Sequence, residues 1–276
     1  MNHIHQHNVT YSDIKTVNTP VLNFATYRFI ALEEPVLVRN WLREVSIKHS
    51  VRGTILLAQE GINLFVAALE SNARDWLSEV ESDSRFSRLV PKESWSASIP
   101  YRKIVCKIRP EIIKMNEPGI VQSHGRAPAV DSATLKRWLD TGVDDNGTSI
   151  VMLDTRNQFE VDMGTFDDAV SWNIQRFTEF PQAANNHITD LKDKTVVSFC
   201  TGGIRCEKAA IYLRQAGIDA YQLDGGILKY FEQTGGTHYT GNCFVFDDRA
   251  VLDTSLKQVG NYPPDTQFNP KLYNPT

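Results

Sequence analysis

Cys200 and the five residues after it combine a nucleophile with groups that can hold an anion. The run Cys200-Thr201-Gly202-Gly203-Ile204-Arg205 follows the apolar sequence Thr195-Val-Val-Ser-Phe, which is typical of a buried strand, and precedes a helix predicted over Cys206–Ala216. The two glycines allow the backbone N–H groups to converge on one point at the start of that helix. These N–H groups, the helix dipole and the Arg205 guanidinium stabilise a thiolate or a persulfide. We therefore expect Cys200 and Arg205 to be catalytic, the pKa of Cys200 to be lowered, and Thr201, Gly202, Gly203, Ile204 and Cys206 to form the anion cradle.

The length of this loop separates two enzyme classes. The spacing C-x4-R resembles the six-residue active-site loop of rhodaneses, whereas the related cysteine phosphatases use C-x5-R to fit a phosphate. Asp154-Thr-Arg156, together with Glu160, also resembles the strand-end signature of rhodanese domains. We expect Asp154 and Arg156 to brace the domain, and Glu207 to serve helix capping or substrate contact. Cys206 is either packed beside the loop or able to form a disulfide with Cys200.

The composition sets broad limits. A chain of 276 residues with 41% hydrophobic and 22% charged residues is ordinary for a folded protein of two domains. The formal net charge of -4 combines a slightly basic N-terminal part with an acidic remainder. The four cysteines have no CxxC spacing, so neither a disulfide framework nor a zinc site is predicted. Because no apolar run is long enough for a bilayer and the N-terminus lacks the order of a secretory signal, we expect a cytoplasmic location and no membrane partner.

Residues 1–20 are predicted to be a flexible arm and residues 21–115 a ferredoxin-like α+β domain. A strand over Phe24–Leu32 precedes a helix that starts at Pro35, with Leu37, Trp41 and Val45 at helical spacing. Two apolar runs, Thr54–Ala58 and Ile62–Ala68, predict a hairpin. Ser71 is expected to cap a second helix with Trp76, Leu77 and Val80 inside, and a last strand over Tyr101–Ile108 completes the order βαββαβ.

The remainder alternates strands and helices. Residues 116–130, rich in Pro and Gly, are predicted to be a linker, residues 131–248 an α/β domain with a mainly parallel sheet and helices on both faces, and residues 249–276 an irregular tail. The second domain is predicted to contain helices over Ser132–Leu139, Cys206–Ala216 and Ile227–Glu232, and strands over Ser149–Asp154, Ala169–Trp172, Thr195–Cys200 and Ala220–Leu223.

Several segments together resemble the tRNA uridine-34 hydroxylase family. They are Glu60-Gly-Ile-Asn, Asp154-Thr-Arg-Asn, Gly164-Thr-Phe, Phe177-Thr-Glu-Phe-Pro, the Cys200 loop with Cys-Glu-Lys-Ala, Leu223-Asp-Gly-Gly-Ile and Cys243-Phe-Val-Phe-Asp-Asp-Arg. The resemblance implies a ferredoxin-like (acylphosphatase-like) domain followed by a rhodanese domain. It also implies oxygen-dependent hydroxylation of the wobble uridine to 5-hydroxyuridine, with tRNA as partner.

For RNA contact, the stretch from residue 101 to residue 109 places four basic residues along one predicted strand. Tyr101 is available to stack a base, and Arg102, Lys103, Lys107 and Arg109 are candidates for phosphate contacts, although a solvated strand face explains the same residues. DNA is not expected as a partner, and the oligomeric state is left open.

The sequence shows no metal-ligand triad and no dinucleotide fingerprint, so no metal or organic cofactor is evident from it. Molecular oxygen is the expected co-substrate, and the electron source and any metal requirement are left open. Thiolate addition of Cys200 to uridine C6 and a Cys200 persulfide are competing hypotheses for the reacting species. The alternative function is that of a sulfurtransferase acting through that persulfide. A non-catalytic interaction module is disfavoured by the intact Cys200 and Arg205.

Overall fold

The N-terminal unit is a five-stranded sheet with two helices on one face. The computed structural model describes residues 20–87, 89–117, 120 and 125–259. The strands are β1 (Val21–Phe29), β2 (Arg52–Ala58), β3 (Gly61–Leu69), β4 (Lys92–Ser96) and β5 (Ile104–Ile108), in the order β4-β1-β3-β2-β5. Neighbouring strands are antiparallel except β2 and β5, which are parallel. The ferredoxin-like order and the β2–β3 hairpin are therefore confirmed.

The predicted last strand takes a different place in this sheet. Lys92–Ser96, not Tyr101–Ile108, is the strand that completes βαββαβ by pairing with β1, and β5 is an additional strand at the opposite edge, next to β2. The sequence Lys-Glu-Ser-Trp-Ser contains only one apolar residue, so its strand character comes from pairing with β1 and not from a period-two pattern.

Helices α1 (Pro35–Lys48) and α2 (Glu70–Glu81) cover one face of this sheet. Pro35 opens α1 and Val45 is buried, as predicted, but Leu37 is 59% exposed, and Val38 and Leu42 complete the buried face. Ser71 does not cap α2, because this helix begins at Glu70, so that Ser71 is already its second residue; the N-cap position is Leu69, which makes no side-chain cap. The core on this face includes Phe24 and Trp76, whose indole N–H donates to Ser46 Oγ at 3.0 Å.

The second unit is built on a parallel sheet, in the order β6-β11-β10-β7-β9. Its strands are β6 (Ala129–Val130), β7 (Ile150–Asp154), β9 (Val170–Ser171), β10 (Thr195–Phe199) and β11 (Ala220–Leu223). Its helices are α3 (Ser132–Thr141), α4 (Gln158–Val161), α5 (Phe180–His187), α6 (Ile204–Gln215) and α7 (Gly226–Thr234). Separate cores on the two sides of the sheet confirm the layered α/β architecture.

Two small ribbons add to this unit. Strand β8 (Gly164–Phe166) pairs with β12 (Tyr239–Gly241), and β13 (Cys243–Phe244) pairs with β14 (Val251–Leu252). The prediction that everything after Asp248 is irregular is therefore wrong at β14, whose two residues are buried beside β13. The predicted arm, apart from Pro20, and the tail beyond residue 259 lie outside the described residues. Among the described helices, none has the length and apolar character that crossing a membrane requires.

The two units touch through the face of the first sheet that its helices leave open. On β1, Ala25 and Phe29 pack against the cores of the second unit, and Tyr27 packs against a small cluster that includes Ile204 of α6. Leu22 and Phe24 alternate into the core under α1 and α2. The contact is also polar, since Arg249 Nη1 donates to Ser94 Oγ at 2.7 Å and the Asp248 N–H donates to Pro100 O at 3.2 Å. The helix that starts in the Cys200 loop lies at this contact.

Candidate active site

The Cys200 loop connects the end of β10 to the start of α6. Gly203 is the N-cap of α6 with φ 101°, a conformation that favours glycine. Two backbone hydrogen bonds join the N-terminus of α7 to the loop: the Ile227 N–H donates to Cys200 O at 3.0 Å, and the Leu228 N–H donates to Thr201 O at 3.1 Å. Gly226 permits this approach: at φ +67°, an added Cβ would lie 2.4 Å from Cys200 O. The segment Leu223-Asp-Gly-Gly-Ile thus shapes the loop through backbone contacts.

Cys200 Sγ sits in an electropositive setting. The Gly203 N–H donates to this sulfur at 3.2 Å. Burial by itself would raise the pKa of the Cys200 thiol, but the Cys206 thiol, the Arg205 charge and the backbone N–H groups of Cys206 and Gly203 outweigh it and lower the pKa to about 5. This direction favours the thiolate form of Cys200.

Arg205 contributes its charge from within a fixed ion pair. Its Nη1 and Nη2 donate to Glu160 Oε2 and Oε1 at 2.5 Å and 2.7 Å, and the Glu160 side chain is fully buried. The same carboxylate accepts the Asn157 N–H at 3.2 Å as the capping box of α4. The Thr201 hydroxyl can donate its one hydrogen to either of two acceptors, Glu160 Oε1 at 3.4 Å or Phe244 O at 3.3 Å. The arginine is thus held in place by an acidic residue 45 positions earlier.

Cys206 lies next to Cys200 in the first turn of α6. Its Sγ lies 3.9 Å from Cys200 Sγ and donates to Gly203 O at 3.0 Å. Both thiols are free and buried. Burial, the neighbouring Cys200 and the charge of Glu207 raise the pKa of Cys206 well above its ordinary value. The two sulfurs therefore carry one negative charge between them, on Cys200.

Asp154 and Arg156 form a buried brace. Arg156 Nε donates to Asp154 Oδ1 at 2.9 Å, Nη2 donates to Asp154 Oδ2 at 2.5 Å, and Nη2 also donates to Gly164 O at 2.6 Å. Thr165 Oγ1 adds a bond to Asp154 Oδ2 at 2.8 Å. Neither charged side chain has exposed surface. Within the described structure, this pair ties β7 to β8 and does not reach the cavity described below.

Glu207 is fully buried and receives bonds from two other parts of the chain. Tyr27 Oη donates to Glu207 Oε2 at 2.7 Å, and Arg126 donates to both carboxylate oxygens at 2.7 Å and 2.9 Å. Burial and the Glu207 charge raise the pKa of Tyr27 well above its ordinary value. Glu207 thus fastens α6 to β1 of the first sheet.

Lys208 makes a second fastening that sequence reasoning missed. Its ammonium group is fully buried and donates to Glu60 Oε1 at 2.9 Å, Glu111 Oε2 at 2.7 Å and Ile113 O at 3.0 Å. Glu60 Oε1 also accepts the Ile112 N–H at 2.7 Å. Burial raises the pKa of Glu60, against the lowering effect of the Lys208 charge. The only sequence signals were the segments that contain Glu60 and Lys208, which the family resemblance had marked without a role.

A cavity of about 380 Å³ opens between the two units, with Cys200 in its wall. Thr201, Gly202, Ile204 and Arg205 line it on the side of the loop. Aromatic and basic side chains also line it, together with the acidic Glu111: Tyr27, Phe65, Phe177 and Phe246, and Arg109, Lys114 and Arg176. Cys200 therefore lines a space whose wall is apolar and carries more basic than acidic side chains.

The predicted RNA-contact residues are placed unevenly around this cavity. Arg109 lines it, and Lys107 is half-buried on β5, while Arg102 and Lys103 are exposed before that strand. Tyr101 is half-buried, and its hydroxyl donates to Asp247 Oδ2 at 3.2 Å.

Within the described residues, no group of His, Cys, Asp or Glu has the arrangement of a metal site. Cys243 lies in a core, and Cys106 is partly buried against one; burial raises their pKa values to about 12 and about 11.

Comparison with known proteins agrees with this architecture. Residues 21–112 match the family model described as "UPF0176 acylphosphatase like domain", and residues 133–233 match the model described as "Rhodanese-like domain". Fold and site together thus define a rhodanese-type domain, with its cysteine loop intact, joined to an acylphosphatase-like domain.

Curated relatives match nearly the whole chain. A protein of Variovorax paradoxus named tRNA uridine(34) hydroxylase is 54% identical over 86% of this chain and 90% of its own length. Proteins of the same name from Bordetella petrii and Bordetella avium are 53% and 52% identical, each over 87% of this chain and over 96% and 99% of their own lengths. The chain belongs to the tRNA uridine(34) hydroxylase family.

Proposed function

We propose that this chain hydroxylates uridine 34 of tRNA at C5 and uses the Cys200 thiolate as its nucleophile. The observation that carries this proposal is the cavity between the two units, which contains a thiol with a lowered pKa in its wall. Its volume of about 380 Å³ falls in the range of about 300–1,000 Å³ that is usual for small-molecule pockets. Relatives that cover nearly the whole chain carry the name of this activity.

A nucleotide of the anticodon loop can enter this cavity only as a base turned out of its stack. Enzymes that modify bases commonly extrude the target base and hold it by stacking and by polar contacts. Phe65, Phe177 and Phe246 offer apolar rings in the wall, and Arg109 and Arg176 offer cations for the phosphates beside the base. Lys103 and Lys107 would extend the phosphate path along β5. We propose a cytoplasmic location, because the proposed substrate is tRNA.

The chemistry starts from the nucleophilicity of Cys200. Addition of the thiolate to C6 forms a C6–S bond and makes C5 an enolate-type carbon, which is electron-rich enough to react with molecular oxygen. The Gly203 N–H and the Arg205 guanidinium stabilise negative charge near the sulfur. Because the thiolate activates the pyrimidine itself, this proposal assigns no step to a metal or an organic cofactor.

The test is nucleoside analysis by mass spectrometry after the purified chain has reacted with unmodified tRNA, in air and with a dithiol reductant. We expect 5-hydroxyuridine at position 34 with the wild type and with Cys106→Ala, and none with Cys200→Ser. In tRNA that contains 5-fluorouridine at position 34, we expect a covalent adduct at Cys200. Hydroxylation by Cys200→Ser would refute the role of the nucleophile. Thiolated nucleosides without 5-hydroxyuridine would instead establish the sulfurtransferase that acts through a Cys200 persulfide.

A further inference from the structure

We propose that Cys206 is a second catalytic thiol, which resolves oxidised Cys200 as a disulfide and so allows the pair to supply the two electrons of the hydroxylation. This inference rests on the proposed function, because hydroxylation by molecular oxygen places one oxygen atom on the base and must reduce the other to water. The proposed function by itself leaves the source of those electrons unassigned. Two thiols that become one disulfide provide two electrons and two protons.

The geometry of the pair supports this assignment. Cys200 Sγ and Cys206 Sγ lie 3.9 Å apart and both are free. A disulfide has an S–S length of about 2.05 Å, so the two sulfurs must approach by roughly 1.9 Å. Gly202 and Gly203 lie between the two cysteines, and an added Cβ at Gly202 would meet nothing within 4 Å, so the connecting loop has room to adjust.

The surroundings of Cys206 fit a resolving thiol and not a thiol that contacts substrate. The cavity is lined by Cys200 but not by Cys206, which is fully buried in the first turn of α6. Its Sγ lies 3.0 Å from Gly203 O, an acceptor within the loop, and 3.9 Å from Cys200 Sγ. Cys206 therefore approaches Cys200 from the protein side while the substrate approaches it from the cavity side.

The reaction passes through a hydroperoxide on C5 and a sulfenic acid on Cys200. The Cys200 thiolate adds to C6, and C5 takes up molecular oxygen as a hydroperoxide. Loss of the C5 proton breaks the C6–S bond and restores the double bond and the Cys200 thiolate. This thiolate then attacks the outer oxygen of the hydroperoxide, which leaves 5-hydroxyuridine and a sulfenic acid on Cys200. Finally, Cys206 attacks Cys200 Sγ, forms the S–S bond and releases the sulfenic oxygen as water. The sum is uridine, oxygen and two thiols in, and 5-hydroxyuridine, water and one disulfide out.

Peptide mapping tests this inference, because trypsin cleaves after Arg205 and separates the two cysteines. The peptides Thr195–Arg205 and Cys206–Lys208 remain joined only if the disulfide has formed. Reduced full-length protein is mixed in air with excess unmodified tRNA and no added reductant, then alkylated and digested. We expect equal amounts of disulfide and 5-hydroxyuridine. If 5-hydroxyuridine forms while both cysteines remain reduced, and are therefore found alkylated, the inference is overturned.

The variant Cys206→Ser separates electron supply from base chemistry. With dimedone present, we expect one round of 5-hydroxyuridine and a trapped sulfenic acid on Cys200. With a dithiol reductant and no dimedone, we expect turnover to fall by at least about tenfold, because a thiol from solution must replace one held at high effective concentration. The matched control Cys106→Ala should behave as the wild type. Unchanged turnover of Cys206→Ser would also refute the inference.

A further arm, without tRNA, keeps this inference distinct from the proposed function. Dilute hydrogen peroxide should convert the reduced wild-type protein to the Cys200–Cys206 disulfide, and should convert Cys206→Ser to a dimedone-reactive sulfenic acid. If tRNA is never hydroxylated but this disulfide forms, the proposed function fails and the resolving role of Cys206 stands. If peroxide leaves a sulfenic acid on wild-type Cys200 with no disulfide, the resolving role fails even where hydroxylation is observed.

Discussion

The substitution Lys208→Met examines how α6 is held against the first sheet. The Lys208 ammonium group is fully buried and is the shared partner of Glu60 and Glu111, at 2.9 Å and 2.7 Å. Methionine has a similar length but no charge, so two buried carboxylates would lose their cation. Removing one partner of a buried ion pair typically costs about 3–5 kcal/mol. For a protein of this size, that cost corresponds to a fall in Tm of roughly 6–20 °C.

The assay is thermal unfolding followed by circular dichroism, with Lys136→Met as the matched control. Lys136 pairs with Asp140 on an exposed face of α3, where such a pair contributes only about 0.3–0.5 kcal/mol. We also expect the hydroxylation rate of Lys208→Met to fall, because α6 carries the end of the Cys200 loop. A Tm of Lys208→Met within 2–3 °C of that of the control, roughly the effect of 1 kcal/mol, would refute this account of the contact.

The deficit of Lys208→Met should also depend on pH. Burial raises the folded-state pKa of Glu60 above its unfolded value. Stability linked to its protonation is therefore fully present below the unfolded pKa and is lost as the pH rises through the folded pKa. Because the Lys208 charge opposes this rise, its removal raises the pKa of Glu60 further. The difference in Tm between wild type and Lys208→Met should accordingly grow from pH 5 to pH 8, and a difference that shrinks over this range would contradict this explanation.

Three further predictions follow from the same contacts. The rate at which iodoacetamide alkylates wild-type Cys200 should change little between pH 6 and pH 8, whereas the rate for an ordinary thiol rises roughly 75-fold over this range. In Arg205→Met the rate should rise with pH again, because the arginine charge lowers the pKa of Cys200. Gly226→Ala should abolish hydroxylation, whereas Gly235→Ala should retain it. The φ angles of Gly226 and Gly235 are nearly equal, at +67° and +66°, but only a Cβ at Gly226 would meet the Cys200 loop, so equal activities of the two variants would refute the steric argument. Arg156→Lys should lose about 1–3 kcal/mol in urea denaturation, since lysine cannot replace the bidentate bond to Asp154 together with the bond to Gly164 O, and wild-type stability would show that the brace is dispensable.

The local features of this protein are encoded in short stretches of sequence. Pro35 opens α1, the runs on either side of Gln59 and Glu60 form a hairpin, and the Cys200 loop joins a buried strand to a helix, all as predicted. Each of these depends on periodicity or on residues within a few positions of one another, which a sequence displays directly. The same holds for the lowered pKa of Cys200, since its main stabilising groups lie within six residues of it.

The tertiary structure decided which partners the charged residues have. Arg205 binds Glu160, 45 positions away, and Lys208 binds Glu60, 148 positions away. No periodicity connects residues at such separations, and a lysine in a helix is ordinarily expected at the surface. The strand Lys92–Ser96 is likewise defined by the neighbour it pairs with, because its own residues carry little strand preference. The sequence by itself therefore determined the Cys200 loop and its local partners, whereas the cavity that Cys200 lines exists only because ion pairs and hydrogen bonds between distant residues bring the two units together.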